Sequence, residues 1–125
     1  MKKFSTLLLA SIVIIAANVQ AQPQLWGSTE QGGKYQAGVL FTTDINGENY
    51  TVEYHFPKIM GYEFEYSTLT QASNEKIYGV SQSGGLHGDG VLFEYDPAMD
   101  EYLVMHSFHP DSGDEPIAAP IEVEP

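Results

Sequence analysis

The nitrogen chemistry open to this 125-residue chain rests on four histidines, His55, His87, His106 and His109, and no cysteine is present to supply a thiolate. His106 and His109 are the one pair close enough in sequence to suggest metal ligands. Three residues along a strand put them on opposite faces, however, and a histidine at the margin of an apolar stripe is the ordinary use of such a residue. Nucleophilic chemistry has less support. Ser28, Ser81, Ser83 and Ser107 sit in no Gly-x-Ser-x-Gly context. Paired carboxylates are always at hand in a chain with 17 acids, and abundance without geometry specifies no glycoside hydrolase. No enzyme is expected.

Two kinds of binding chemistry are better represented. Asp44-x-Asn46-Gly47-x-Asn49 places oxygen-bearing side chains at alternate positions around a glycine, as hard-cation loops do. It lacks the Asp-x-Asp-x-Asp-Gly spacing and the glutamate at the twelfth position, and Asp96-Pro97-Ala98-Met99-Asp100, its counterpart, loses the pattern. Asp111 to Glu115 is a second acidic turn. No cofactor is expected, and calcium at Asp44, Asn46 and Asn49 stands against a plain β-turn that uses Asn, Asp and Gly for backbone reasons. The second kind is aromatic. Trp26 and Tyr78, and likewise Tyr35 and His87, put a ring at matching places, beside Glu30, Gln31, Gln82 and Ser83. Such rings and polar groups could stack on and hydrogen-bond a glycan, weak single sites being made useful by multivalency. Core packing competes for Trp26 and Tyr78, which fall in strands. Tyr35 and His87, in loops, are better placed for contact.

The matching places come from a duplication. Residues 25–41, LWGSTEQGGKYQAGVLF, return as residues 77–93, IYGVSQSGGLHGDGVLF, with an offset of 77 − 25 = 52. Gly27, Gly32, Gly33, Gly38, Val39, Leu40 and Phe41 recur unchanged as Gly79, Gly84, Gly85, Gly90, Val91, Leu92 and Phe93. A fixed period of this length is the mark of a repeat architecture.

Each unit reads as short strands joined by glycine-rich turns. In the first, residues 25–29 and 37–43 are strands, and Asn46-Gly47 is a hairpin signal leading to a third strand. There Tyr50, Val52, Tyr54 and Phe56 recur at period two, which predicts one shared apolar face. Shifted by 52 they become Tyr102, Val104, His106 and Phe108. Residues 64–72 read as a fourth strand, and residues 117–123 as its counterpart. Outside the N-terminal segment no helical periodicity occurs. The expected fold is all-β, with two four-stranded antiparallel blade-like units of a β-propeller type; a small β-sandwich made by duplication is the alternative. Rings need about 4–8 blades. Two units therefore imply closure by oligomerisation, a piece of a longer repeat array, or a compact pair folding alone.

The first 21 residues are expected to be a secretory signal peptide. Lys2 and Lys3 precede an apolar run over residues 7–17, and Val19-Gln20-Ala21 ends in the small residues a signal peptidase reads. The run is short of the roughly 20 residues that cross a bilayer, so no membrane insertion is expected after its removal. What remains is 125 − 21 = 104 residues, twice 52. The units span residues 22–76 and 77–125. Export without cysteine suits a periplasmic, cell-surface or secreted protein of a Gram-negative bacterium. The exported part holds Lys34, Lys58 and Lys76 against 17 acids, or 3 − 17 = −14. That charge repels phosphate backbones and anionic lipid, which argues against nucleic acid as a partner.

Residues 77–85 (IYGVSQSGG), 88–93 (GDGVLF) and 106–108 (HSF), followed by Gly113-Asp114-Glu115-Pro116, resemble the GloVer tandem repeat of bacterial secreted proteins. That repeat has the form LYGTT, GG, GxGxVF, a turn, xxxSF and DGxxP. The likeness covers essentially all of residues 22–125 and is better in the second unit. In the first, Trp26 stands for tyrosine, Ala37-Gly38 lacks the earlier glycine, and Gly61-Tyr62-Glu63-Phe64 lacks the proline. The resemblance implies an exported repeat architecture and carries no established enzymatic chemistry. Typical members have many more repeats and an anchor or sorting domain, which are not expected here.

Two functions follow as expectations. One is a secreted, non-catalytic repeat module for binding or protein interaction, with itself, another surface protein or a glycan as partner. The other is a structural fragment of a longer propeller-type surface protein with no ligand of its own.

Overall fold

The computed structural model describes residues 22–64 and 68–124. The expected signal peptide lies outside them, as do residues 65–67 of the expected fourth strand. Seven strands form among the described residues: β1 (Gln24–Ser28), β2 (Val39–Asp44), β3 (Thr51–His55), β4 (Thr70–Gln71), β5 (Ile77–Ser81), β6 (Val91–Asp96) and β7 (Glu101–Ser107). A 3-10 turn at Lys58–Met60 interrupts the connection after β3, and no α-helix occurs among the described residues. The chain is thus all-β, with one antiparallel sheet ordered β1-β2-β3 and another ordered β4-β5-β6-β7.

The local signals act as expected. Asn46-Gly47 turns β2 into β3, with Gly47 at φ 80° donating its N–H to the Asp44 carbonyl at 3.0 Å. In both units a phenylalanine ring lies across a strand glycine. A Cβ on Gly27 would meet the Phe41 ring, and one on Gly79 would meet Phe93 and Leu69. That close approach is why the strand position is kept free of a side chain.

Three expectations are corrected. The four period-two residues of the third strand do not share a face. Leu40 pairs with Tyr54 but Phe41 pairs with Val52, so Glu53 is an extra, bulged residue; Met105 is its counterpart between the Leu92–His106 and Phe93–Val104 pairs. One inserted residue flips everything beyond it to the other side of the pleat. Tyr50 and Val52 therefore share a face with Phe41, while Tyr54 and Phe56 turn the other way.

The second correction concerns the fourth strand. Among the described residues of 64–72 only Thr70–Gln71 is a strand, and it pairs with β5 of the second unit, Thr70 opposite Tyr78 and Gln71 opposite Ile77. The first sheet therefore has three strands. Third, residues 117–123 form no strand. They run beside β4 and the turn after it. The Thr70 hydroxyl donates to the Pro120 carbonyl at 2.5 Å, and the Ser73 hydroxyl and amide both donate to the Glu122 carboxylate at 2.7 Å. Each of these bonds engages a side chain, so the segment lies along β4 without a backbone ladder.

The core lies between the sheets and is largely aromatic. Leu40 and Phe56 of the first unit and Val91, Phe93 and Tyr95 of the second are buried, with Trp26 and Tyr54 packed against them. Tyr54 stacks on Tyr102 at 4.9 Å and 5°, Phe56 meets Phe93 at 5.7 Å, and Trp26 meets Tyr95 at 5.9 Å. Such pairs add about 0.5–1.5 kcal/mol each beyond the area they bury. The buried phenols are anchored: Tyr102 donates to the Met60 carbonyl at 2.9 Å and Tyr95 to the Asp100 carboxylate at 3.0 Å. Burial pushes both hydroxyls above their usual pKa.

Candidate functional site

The repeated loops, residues 29–38 and 81–90, are built by the same bonds twice. The Thr29 hydroxyl accepts from the Val39 amide at 3.0 Å, and the Ser81 hydroxyl from the Val91 amide at 3.2 Å. Gly38 donates to the Gly32 carbonyl and Gly90 to the Gly84 carbonyl, each at 3.1 Å. At φ 94° and 99° these glycines press on the carbonyls of Thr29 and Ser81, where a Cβ would collide. Each loop is also tied to the end of the third strand. The Lys34 amide donates to His55 Nδ1 and the Leu86 amide to Ser107 Oγ, both at 3.1 Å. His55 is thus a loop fastener.

On these loops the candidate contact residues diverge. Tyr35 is exposed, with the Lys34 ammonium 5.2 Å from its ring, beside a hollow of about 300 Å³ that Glu53, His55 and Asp100 also line. His87 instead packs edge-to-face on His109 at 4.8 Å, and His109 Nδ1 lies 3.4 Å from the Asp111 carboxylate. Two of the flanking side chains have partners. That of Gln31 donates to Glu30 at 3.3 Å and the Ser83 hydroxyl donates to the Glu63 carboxylate, while the backbone N–H of Gln82 donates to the Glu63 carbonyl at 3.1 Å.

Trp26 and Tyr78 also occupy equivalent places with different surroundings. Trp26, packed on Tyr95, borders a groove of about 570 Å³ with Gln24, Gln71, Asn74, Glu75 and Asp96. Tyr78 lies on the far side of the second sheet, in a hollow of about 240 Å³ with Leu92, Met105, Pro120 and Ile121. Its hydroxyl donates to Glu94 at 2.7 Å and accepts from the Asn74 amide at 2.9 Å. Tyr35, Trp26 and Tyr78 thus line three separate hollows, and the structure does not bring the six candidates together.

Asp44 accepts from the Asn46 and Glu48 amides at 2.9 Å and from the Asn49 side-chain amide at 2.8 Å. The Glu48 amide, ahead of Asn49 and Asn46, holds its carboxyl below the usual range. Asn46 and Asn49 therefore present N–H groups to this carboxylate, the geometry of a capped turn. Asp96 does likewise with the Ala98 and Met99 amides. Among the described residues, no three acidic or histidine groups come together as a cation site.

Two features had little signal in the sequence. Lys76 Nζ lies 2.5 Å from Glu94 and 3.6 Å from Asp96. That ammonium, with the Tyr78 hydroxyl, lowers the Glu94 pKa, and the same hydrogen bond raises that of Lys76. Alternation along β6 could have placed Glu94 and Asp96 on one face. The Trp26 groove had no such signal, because Gln71, Asn74, Glu75 and Asp96 come from the other sheet.

A family model described as the Gloeobacter/Verrucomicrobia repeat matches residues 14–124. No curated protein and no solved structure matches the chain. The matched span takes in both sheets, both glycine loops and the segment after β7, and on that extent the chain belongs to the Gloeobacter/Verrucomicrobia repeat family.

Proposed function

We propose that the protein is an exported, non-catalytic interaction module that stacks on further units of its own kind, as blades stack in a β-propeller. One observation carries this reading: the two sheets meet through unlike faces. The first contributes Trp26, Leu40, Tyr54 and Phe56, and the second Phe93, Tyr95 and Tyr102. Shifted by 52, the first set recurs on the outer face of the second sheet as Tyr78, Leu92, His106 and Phe108. The second set recurs on the outer face of the first as Phe41, Thr43 and Tyr50. A head-to-tail contact of this kind leaves a complementary half at either end, and it closes into a ring when the rotation allows. Tyr50 at 56%, Leu103 at 55% and Met105 at 50% exposure put apolar side chains on the outer faces, that of the second sheet also carrying the Lys76–Glu94 pair. At about 4–8 blades per ring, closure takes two to four copies.

The test is light scattering after size exclusion on the chain from Gln22 onward, over a range of concentrations. A discrete oligomer of two to four copies is expected, and Tyr50→Asp or Met105→Asp reduces it to monomer. A wild-type monomer at every concentration overturns the reading.

A glycan is the second reading, favoured by the Trp26 groove with its amides and carboxylates. Trp26 is the sole tryptophan, so its emission reports the groove directly. A saturable shift with one oligosaccharide class is expected; unchanged emission across a broad panel sinks it.

A further inference from the structure

The second sheet owes its fourth strand to the first half of the chain. β4 lies on the outer edge of β5, and β5 corresponds to β1 by the 52-residue offset. Among the described residues β1 is hydrogen-bonded to β2 alone, which leaves the other edge of Gln24–Ser28 bare. An open edge of this kind is a template for an added strand. The residues equivalent to Thr70 and Gln71 are Glu122 and Val123, since 70 + 52 = 122 and 71 + 52 = 123.

That segment is without a ladder of its own. Among the described residues, its hydrogen bonds each have a side chain as one partner: Thr70 to Pro120, Ser73 to Glu122, and the Ala119 amide to Thr68. Ile121, the counterpart of Leu69, is 82% exposed, whereas Leu69 packs against the core. Pro120 and Ile121 also border the hollow beside Tyr78 and Leu92, on the face where a further sheet would stack. The open edge and the unladdered segment are thus the two halves of the β4–β5 pairing, held apart at opposite ends of one chain.

We infer that residues 121–124 of one copy add to β1 of a second copy as its missing fourth strand, Glu122 opposite Trp26 and Val123 opposite Leu25. The inference rests on the stacking reading above and adds the strand that joins the copies. Face and strand act in concert: while the segment pairs, His106 and Phe108 of the donor meet the second copy's Tyr50 and Phe41, as Tyr54 and Phe56 meet Tyr102 and Phe93 within the chain.

The absence of cysteine makes the register testable by cross-linking. Leu25→Cys and Val123→Cys are combined in the chain from Gln22 onward and oxidised. Covalent oligomers are expected at the copy number found by light scattering, with at least a tenfold lower yield when Ile117→Cys replaces Val123→Cys. Val123→Pro, which removes the ladder amide, is expected to weaken association at least tenfold while the far-ultraviolet circular dichroism of the monomer is unchanged. An oligomer that neither cross-links nor responds to Val123→Pro overturns the strand pairing and leaves the stacking reading intact. A cross-linked monomer also overturns it, by placing the segment on its own β1. A wild-type monomer at every concentration overturns both.

Discussion

The two sheets carry several identical residues at equivalent places and bury them differently. Tyr102 is 9% exposed and its counterpart Tyr50 56%; Phe93 is fully buried while Phe41 is only partly so. The atoms nearest a Cβ on Gly79 belong to Phe93 and Leu69, and those nearest one on Gly27 to Phe41. The residue types are equal, so the difference comes from position in the stack. The second sheet has a neighbour on this face and a borrowed strand on its edge. The first has neither among the described residues. A repeat therefore encodes a contact surface on both faces of every unit, and the end units display what the middle of a stack conceals.

Substitutions at equivalent positions sharpen or break this comparison. The largest effect is expected at the buried phenylalanine: Phe93→Ala costs about 3–5 kcal/mol by urea unfolding, against about 1 kcal/mol for Phe41→Ala in the monomer. Equal costs would mean that the outer face of the first sheet is covered in solution. Next comes the anchored phenol. Tyr102→Phe loses the bond to the Met60 carbonyl and costs about 1–2 kcal/mol, whereas Tyr50→Phe stays within about 0.5 kcal/mol.

Association and charge give smaller effects. Copies of the chain from Gln22 onward, each carrying 3 − 17 = −14, repel one another, so added salt is expected to raise the oligomer fraction in light scattering. Salt-induced dissociation would instead indicate that ion pairs hold the contact. The smallest effect belongs to the second sheet alone. The lowered pKa of Glu94 gives stability that is present above its usual 4.5 and is lost as pH falls through the folded value. The raised pKa of Lys76 gives stability present below its usual 10.5 and lost as pH rises through the folded value. Glu94→Gln is expected to flatten the acid limb of Tm against pH, leaving the plateau little changed because the pair is partly solvated. An unaltered acid limb would remove the Lys76–Glu94 pair from the account of stability.

Much of the fold was legible because its signals are local. Asn46-Gly47 is a local hairpin signal, and the apolar runs over residues 39–41 and 91–93, each following a glycine, suit a strand without reference to the rest. The stripe of Tyr50, Val52, Tyr54 and Phe56 was legible as apolar but not as divided, because the bulge at Glu53 is set by pairing with β2. The candidate site was legible in part. The glycine loops and their equivalence were apparent, but Tyr35 and His87 acquired different neighbours, Lys34 in one case and His109 in the other. Lys34 belongs to the loop itself, whereas His109 lies on a segment that the loop sequence does not specify.

By itself the sequence determined the repeat, its 52-residue period, the glycine turns, the first three strands of each unit and the strongly acidic composition, since each depends on neighbours along the chain and on composition. Only the tertiary structure decided which face of each sheet is covered, that β4 belongs to the sheet after it, and that β1 keeps an open edge among the described residues. Those outcomes depend on which strand reaches which edge, and on one inserted residue per sheet that reverses the pleat. Contacts between residues distant in sequence settle both.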